Sequence, residues 1–185
     1  LELTHSYDEK QALKDINLVI KSNTLTAIVG PNGAGKSTFL RILAGLINPT
    51  KGRLIHPIPL NAAYLPQQSN LDKTFPLTVK DVVEMGLWSQ LGFSKEINEI
   101  QKSQLEQSIQ ITGLTNFQKH SLDKLSGGQF QRVLFARMML QNADVLLLDE
   151  PFSAIDESTT KDLLMLIKQW HQEGKTILVV MHNLE

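Results

Sequence analysis

A run of eight residues near the N-terminus has the types and the spacing of a phosphate-binding loop. These residues are Gly30, Pro31, Asn32, Gly33, Ala34, Gly35, Lys36 and Ser37, and they fit the pattern GxxxxGK(S/T). Glycines allow successive backbone N–H groups to point at one anion, and a helix that begins at the loop adds the positive end of its dipole. We expect Lys36 to reach the β- and γ-phosphates of a nucleotide, Ser37 to ligate Mg²⁺, and Thr38 to belong to the same binding segment. A flexible glycine turn is the alternative, and the predicted strand before the loop and helix after it disfavour that alternative.

Two adjacent acids, Asp149 and Glu150, follow a run of four apolar residues at 145–148. Such a run predicts a parallel strand that is covered on both faces. Asp149 at the end of that strand is placed to hold Mg²⁺, and Glu150 points differently and can reach the water that attacks a γ-phosphate. Two acids after a strand could also be solvated loop charges. A phosphate loop elsewhere in the chain favours the catalytic interpretation, because such a site needs a metal ligand and a base.

A second glycine pair, at Leu125-Ser126-Gly127-Gly128-Gln129, precedes a predicted helix. A helix N-terminus with bare N–H groups and a serine hydroxyl is a surface for an anion. The alternative is a helix-capping turn, because serine is a good N-cap. One chain with two phosphate-facing surfaces indicates a nucleotide held between two copies of the protein.

The pattern of apolar residues predicts which elements position these motifs. Alternation at 16–20 predicts a half-buried strand, and the β-rich run at 24–29 predicts a buried strand. Further strands are predicted at 62–65, 145–148 and 176–181, and helices at 37–46, 127–141 and 158–172. Strands that alternate with helices predict an α/β fold with a mainly parallel sheet. The helical block at about 77–140 predicts an inserted subdomain, which leaves a catalytic core at about 1–76 and 141–185.

Composition excludes several classes of protein. The 185 residues are 42% apolar and 20% charged, which suits one globular domain. The net charge of −1 gives no electrostatic case for binding nucleic acid. The chain has no cysteine and only scattered histidines, so we expect no thiolate or transition-metal site. No apolar run approaches the roughly 20 residues that span a bilayer. The chain lacks an initiator methionine, and we expect it to be trimmed at one or both ends.

The chain resembles the ATP-binding cassette of ABC transporters over residues 7–182. The phosphate loop, the segment 125–129 and Leu146-Leu147-Leu148-Asp149-Glu150-Pro151 carry the resemblance. It implies a P-loop NTPase fold with an antiparallel β portion at the N-terminal side, and Mg²⁺-dependent hydrolysis of ATP. It also implies a head-to-tail homodimer that encloses ATP. In that dimer Ser126, Gly127 and Gly128 of one copy contact the γ-phosphate bound to the other copy.

The same resemblance implies roles for residues outside the three motifs. Tyr7 resembles the aromatic residue that stacks on adenine. Gln67 resembles the glutamine that touches Mg²⁺ and water and links the site to the membrane partner, with Gln68 as the adjacent alternative.

Two later residues complete the implied site. Asp156 lies in a segment, 153–156, that resembles the loop crossing the dimer interface. His182 resembles the switch histidine that binds the γ-phosphate, and Asn183 follows it where the family often has aspartate.

The segment 75–86 is similar to a stretch in cassettes of zinc and manganese importers. The resemblance therefore implies an ATP-hydrolysing subunit that powers the import of a divalent metal ion, zinc or manganese. It also implies that this subunit is peripheral, at the cytoplasmic face of the cell membrane. Its partners would be integral membrane permease subunits and, indirectly, an extracytoplasmic substrate-binding protein. An importer of another substrate remains an alternative, as does an ABC ATPase outside transport, for example of the cluster-assembly type.

Overall fold

The structure is a computed structural model and describes residues 2–56, 60–67, 75–91, 96–153 and 155–181. The chain divides into two compact units. The first comprises the described residues of 1–68, 144–151 and 167–185, and the second those of 69–143 and 152–166.

An antiparallel hairpin opens the first unit. Strand β1, Leu3–Tyr7, pairs with strand β2, Lys10–Ile16. The strand predicted at 16–20 is wrong: β2 ends at Ile16 because this residue already pairs with Leu3, where β1 begins. Leu18 and Val19 are 60% and 83% exposed, whereas Ile16 and Ile20 at the two ends of the segment pack against apolar clusters.

The first unit also contains a parallel sheet, which has four strands within the described residues, in the order β3-β6-β5-β4. Its strands are β3 (Leu25–Val29), β4 (Ala62–Leu65), β5 (Val145–Asp149) and β6 (Thr176–Met181). The α/β fold with separate parallel and antiparallel sheets confirms the predicted fold class. The prediction that β3 is buried is wrong, since Leu25 and Val29 are 44% and 45% exposed. β3 is an end strand of the described sheet. Ile28 on one face of this strand packs on the core, whereas Leu25 and Val29 on its other face are exposed.

Helix α1, Lys36–Leu43, packs on this sheet. Leu40 and Leu43 contact Leu147 of β5 and Leu178 and Val180 of β6 in one apolar cluster. The helix begins directly after the left-handed Gly35 and ends three residues earlier than predicted, before Gly45, whose φ is 70°. The phosphate loop is therefore held between the end of β3 and a helix that is anchored in the core.

The second unit is helical. Its helices are α2 (Val79–Glu84), α3 (Trp88–Leu91), α4 (Glu99–Ile111) and α5 (Gly127–Gln141), together with the beginning of α6 (Glu157–Gln172). Thr78, Asn98 and Ser126 each begin a helix with a capping box, in which two backbone N–H groups find side-chain partners. No helix within the described residues has the length and apolar character needed to cross a bilayer.

Candidate active site

The phosphate loop lies against the hairpin of the first unit. Gly33 and Gly35 have φ angles of 77° and 84°, in the left-handed region that favours glycine. A Cβ atom at Gly35 would overlap the carbonyl oxygen of Ala12 and lie 2.7 Å from Leu13 Cδ2. Glycine is therefore required at position 35 for both its φ angle and the space that it leaves.

The ammonium group of Lys36 lies at the beginning of the loop. Lys36 Nζ donates to the carbonyl oxygens of Gly30 and Pro31 at 2.7 and 3.0 Å, and the residue is only 9% exposed. Thr38, in the first turn of α1, is equally buried. The loop thus brings a buried cation to the N-terminal end of a helix, which is an arrangement suited to phosphate.

Asp149 is buried at the end of β5 and uses both of its carboxylate oxygens. Ser37 Oγ donates to Asp149 Oδ1 at 3.1 Å, and the Tyr64 hydroxyl donates to Asp149 Oδ2 at 3.0 Å. The residue is 1% exposed, so these bonds offset the cost of burying a charge. Ser37 and Asp149 place a hydroxyl oxygen beside a carboxylate oxygen, which is the donor set that Mg²⁺ takes.

Tyr64 is a member of this cluster that the sequence reasoning did not identify. Burial raises the pKa of Tyr64 to about 12, so the phenol remains a hydrogen-bond donor at neutral pH. The hydrogen bond to Tyr64 is the main cause that raises the pKa of Arg41 on α1, and a weaker contribution comes from Tyr7. No local pattern marks Tyr64, because its contact depends on β4 lying beside β5.

Glu150 and Gln67 form a second pair next to this cluster. Gln67 Nε2 donates to Glu150 Oε2 at 2.5 Å. Glu150 is 9% exposed and has a φ of 51°, unusual for a residue other than glycine. Its backbone N–H donates to the Val180 carbonyl oxygen at 3.1 Å. Such backbone strain concentrates at functional sites, and here it turns Glu150 away from the direction of the strand.

Tyr7 lies at the end of β1 in the same unit. The ring is 44% exposed, and its edge-on contact with the His5 ring has a centroid distance of 4.7 Å. An exposed ring supported from one side is suited to stacking on a planar ligand.

The glycine pair at 127–128 begins helix α5 in the second unit. Ser126 Oγ accepts from the backbone N–H of Gln129 at 3.2 Å, and Gln129 Oε1 accepts from the N–H of Ser126 at 3.0 Å. Ser126 therefore fulfils the helix-capping role that the sequence left open as an alternative. The neighbouring Leu125 is 8% exposed and anchors this turn.

Asp156 lies beside this glycine pair within the second unit. A Cβ atom at Gly128 would be 2.9 Å from Thr159 Oγ1 and 3.0 Å from Asp156 Oδ2. Asp156 accepts from the Thr159 N–H and from the Thr159 hydroxyl, each at 2.8 Å. These bonds, the backbone one first, lower the pKa of Asp156. The loop at Asp156 and the beginning of α5 thus form one packed surface.

The remaining predicted site residue, His182, lies outside the described residues. Within the described part of the chain, no group of three or more histidine, aspartate and glutamate side chains could hold a metal ion.

The geometry of the first unit is that of a P-loop nucleotide-binding site, and comparisons with known proteins identify the family. The ABC transporter family model matches residues 13–153. The manganese transport system ATP-binding protein MntB of Listeria innocua is 41% identical over 187 residues, which cover 98% of this chain and 78% of that protein. The zinc transport system ATP-binding protein TroB of Treponema pallidum is 38% identical over 190 residues, covering 100% of this chain and 71% of that protein.

A solved structure of similar fold indicates the same family as these relatives. It is a dimeric ATP-binding cassette in a post-hydrolysis state, bound to ADP and Pi. Its TM-score is 0.85 at 31% sequence identity, and the match covers 98% of this chain and 85% of that chain. The chain therefore belongs to the ABC transporter family, as a nucleotide-binding ATPase cassette. The resemblance, the fold class and the ATPase class predicted from the motifs are confirmed.

Proposed function

We propose that the chain is the ATP-hydrolysing subunit of a transporter that imports a divalent metal ion, zinc or manganese. Two relatives that align with nearly the whole chain are named for manganese and zinc transport. One observation supports ATP hydrolysis in particular: two hydrogen-bonded pairs lie side by side at the end of β5. Ser37 bonds to Asp149, and Gln67 bonds to the next residue, Glu150.

The nucleotide-binding part of the proposal assigns the phosphates to the loop. Backbone N–H groups from Gly30 to Gly35, the Lys36 ammonium and Thr38 bind the phosphates, and Tyr7 stacks on the adenine. Lys36 exchanges its bonds to the loop carbonyls for bonds to the β- and γ-phosphates. Ser37, Asp149 and Gln67 hold Mg²⁺, which neutralises charge on the phosphate oxygens when it is bound.

Glu150 is the proposed base for hydrolysis. It takes the proton of the attacking water as the water oxygen bonds to the γ-phosphorus, and the bond from that phosphorus to the bridging oxygen breaks to release ADP. Gln67 already donates to Glu150 Oε2 and so orients the carboxylate. His182 is proposed to contact the γ-phosphate, where it would steady the charge that develops during transfer.

A second copy of the chain supplies the lid over the γ-phosphate in this proposal. The segment 125–129 of one copy acts on the nucleotide of the other, and Asp156 lies at the interface between the two copies. The dimeric, ADP- and Pi-bound structure of a 31% identical cassette supports this arrangement. The dimer would be peripheral at the cytoplasmic face of the membrane. It would drive integral permease subunits, which receive their substrate from an extracytoplasmic binding protein.

Glu150→Gln tests the catalytic assignment. We expect this variant to bind ATP and to accumulate as a dimer with Mg²⁺·ATP on size-exclusion chromatography with light scattering. Glu173→Gln is the matched control, since Glu173 is exposed and its carboxylate accepts a surface hydrogen bond from Gln169. An ATP-bound dimer that turns over as fast as the control would reject Glu150 as the base.

Metal uptake tests the transport assignment separately. Cells that lack the chain should lose zinc or manganese uptake, and the wild-type gene but not Glu150→Gln should restore it. Co-purification with a multi-span membrane protein would exclude a cassette ATPase outside transport. Normal uptake of both metals without the chain would favour an importer of another substrate.

A further inference from the structure

The hydroxyl group of Tyr64 and that of Ser37 in the phosphate loop contact different oxygens of the Asp149 carboxylate. Ser37 Oγ donates to Asp149 Oδ1, and the Tyr64 hydroxyl donates to Asp149 Oδ2 at 3.0 Å. Both donors and the acceptor belong to the first unit. The carboxylate is therefore held at both oxygens by groups from two different elements, α1 and β4.

The second of these contacts limits the rotation of the carboxylate. The terminal torsion of an aspartate side chain is broad and roughly two-fold, so a single hydrogen bond leaves the plane of the group poorly fixed. Asp149 is 1% exposed, and water at the protein surface is not available to replace a lost donor. Removal of the Tyr64 hydroxyl would leave Oδ2 without this donor and free the carboxylate to turn.

Tyr64 is itself held firmly. Its ring packs against the apolar cluster that contains Leu40 and Leu147, and its strand pairs with β5 in parallel, with Tyr64 opposite Leu147. Arg41 lies one turn along α1 from Ser37, and a hydrogen bond with Tyr64 is the main cause that raises the pKa of Arg41. The hydroxyl is thus a fixed donor, because the ring packs on the core and the strand that carries it is paired with β5.

We infer that Tyr64 is a positioning residue for Asp149 and that its hydroxyl sets the affinity of the site for a divalent cation. The inference rests on the proposed function, in which Asp149 and Ser37 hold Mg²⁺. Groups that orient a metal ligand from behind it typically change metal affinity or activity by about 10–100-fold when they are removed.

Tyr64→Phe tests this role, because it removes the hydroxyl and keeps the ring that packs on the core. The probe is Mn²⁺, added to the chain with a non-hydrolysable ATP analogue, and the readout is the electron paramagnetic resonance spectrum of protein-bound Mn²⁺. We expect the Mn²⁺ concentration for half-saturation to increase about 10-fold or more. Binding of a fluorescent ATP analogue in EDTA should not change, because that binding does not use Asp149.

Thr176→Val is the matched control. It removes one hydroxyl from the first unit, where Thr176 Oγ1 accepts from the backbone N–H of Asn23 at 2.9 Å, at the opposite end of β6 from the site. We expect it to leave the Mn²⁺ requirement at the wild-type value. Thermal unfolding of both variants shows whether each is folded under the conditions of the titration.

The outcomes separate this inference from the proposed function. A Tyr64→Phe titration that coincides with the wild-type curve overturns the positioning role and leaves the metal site intact. Equal weakening of nucleotide binding in EDTA also overturns it, because that result indicates a general packing defect. Absence of any bound-Mn²⁺ spectrum in the wild-type chain would instead reject the proposed metal site, and the inference with it.

Discussion

Ser37 Oγ lies 3.1 Å from Asp149 Oδ1, although the two residues are 112 positions apart in the chain. The phosphate loop places Ser37 at the beginning of α1, and the sheet places Asp149 at the end of β5. The contact joins the loop that is proposed to bind phosphate to the carboxylate that is proposed to hold Mg²⁺. Two motifs that are distant in the chain therefore lie in one candidate site.

Ser37→Ala is expected to raise the Mg²⁺ concentration needed for hydrolysis. The change removes a hydroxyl that both contacts Asp149 and serves as a proposed Mg²⁺ ligand, so we expect an increase of about 10–100-fold in the concentration for half-maximal rate. Ser37→Thr keeps the hydroxyl and satisfies the loop pattern, and should stay near the wild-type value. Identical Mg²⁺ curves for the alanine and threonine variants would reject the role of the hydroxyl.

Two alanine substitutions in the phosphate loop should differ in stability. Gly33 and Gly35 both have positive φ, and forcing alanine into that region costs about 1–2 kcal/mol. A Cβ atom at position 33 would have no atom within 4 Å, whereas one at position 35 would overlap the Ala12 backbone. We therefore expect Gly35→Ala to lose about 1–3 kcal/mol more than Gly33→Ala in urea unfolding, because of the overlap. Equal losses would show that the loop moves off β2 without cost.

Acidification should weaken the beginning of α6 through Asp156. Hydrogen bonds from Thr159 lower the pKa of Asp156 below 3.8, so the charged form is favoured in the folded state. The resulting stabilisation is complete above pH 3.8 and is lost as the pH falls through the lowered value. We expect wild-type and Asp156→Asn proteins to approach each other in stability as the pH falls below 3.8. Urea unfolding at several pH values measures this difference, and a constant gap would contradict the assignment.

The sequence correctly predicted elements whose limits depend on neighbouring residues in the chain. Four apolar residues before Asp149 predicted β5, and serine before two glycines predicted the beginning of α5 at Gly127. The strand predicted at 16–20 was wrong because β2 ends where its partner strand β1 begins. The position of β1 cannot be inferred from residues 16–20. The prediction that β3 is buried was wrong for a related reason. A local pattern does not show the order of strands in the sheet, and β3 lies at one end of it.

Contacts inside the candidate site are likewise predictable only where they depend on local sequence. The loop, Asp149 and Glu150 could each be predicted from residue types and spacing, because phosphate and metal chemistry requires them. Tyr64 could not, since its hydroxyl meets Asp149 only once β4 pairs in register with β5, and the two residues are 85 positions apart. The positive φ of Glu150 likewise has no sequence signal.

Release of phosphate from Mg²⁺·ATP, measured across a range of protein concentrations, tests the central claim most directly. We expect the rate per chain to increase with protein concentration, because a second copy completes each site. We also expect Glu150→Gln to lower the rate by about 10²–10⁴-fold at every concentration. A wild-type rate per chain that stays constant down to a proven monomer, with Glu150→Gln equally active, would contradict the account.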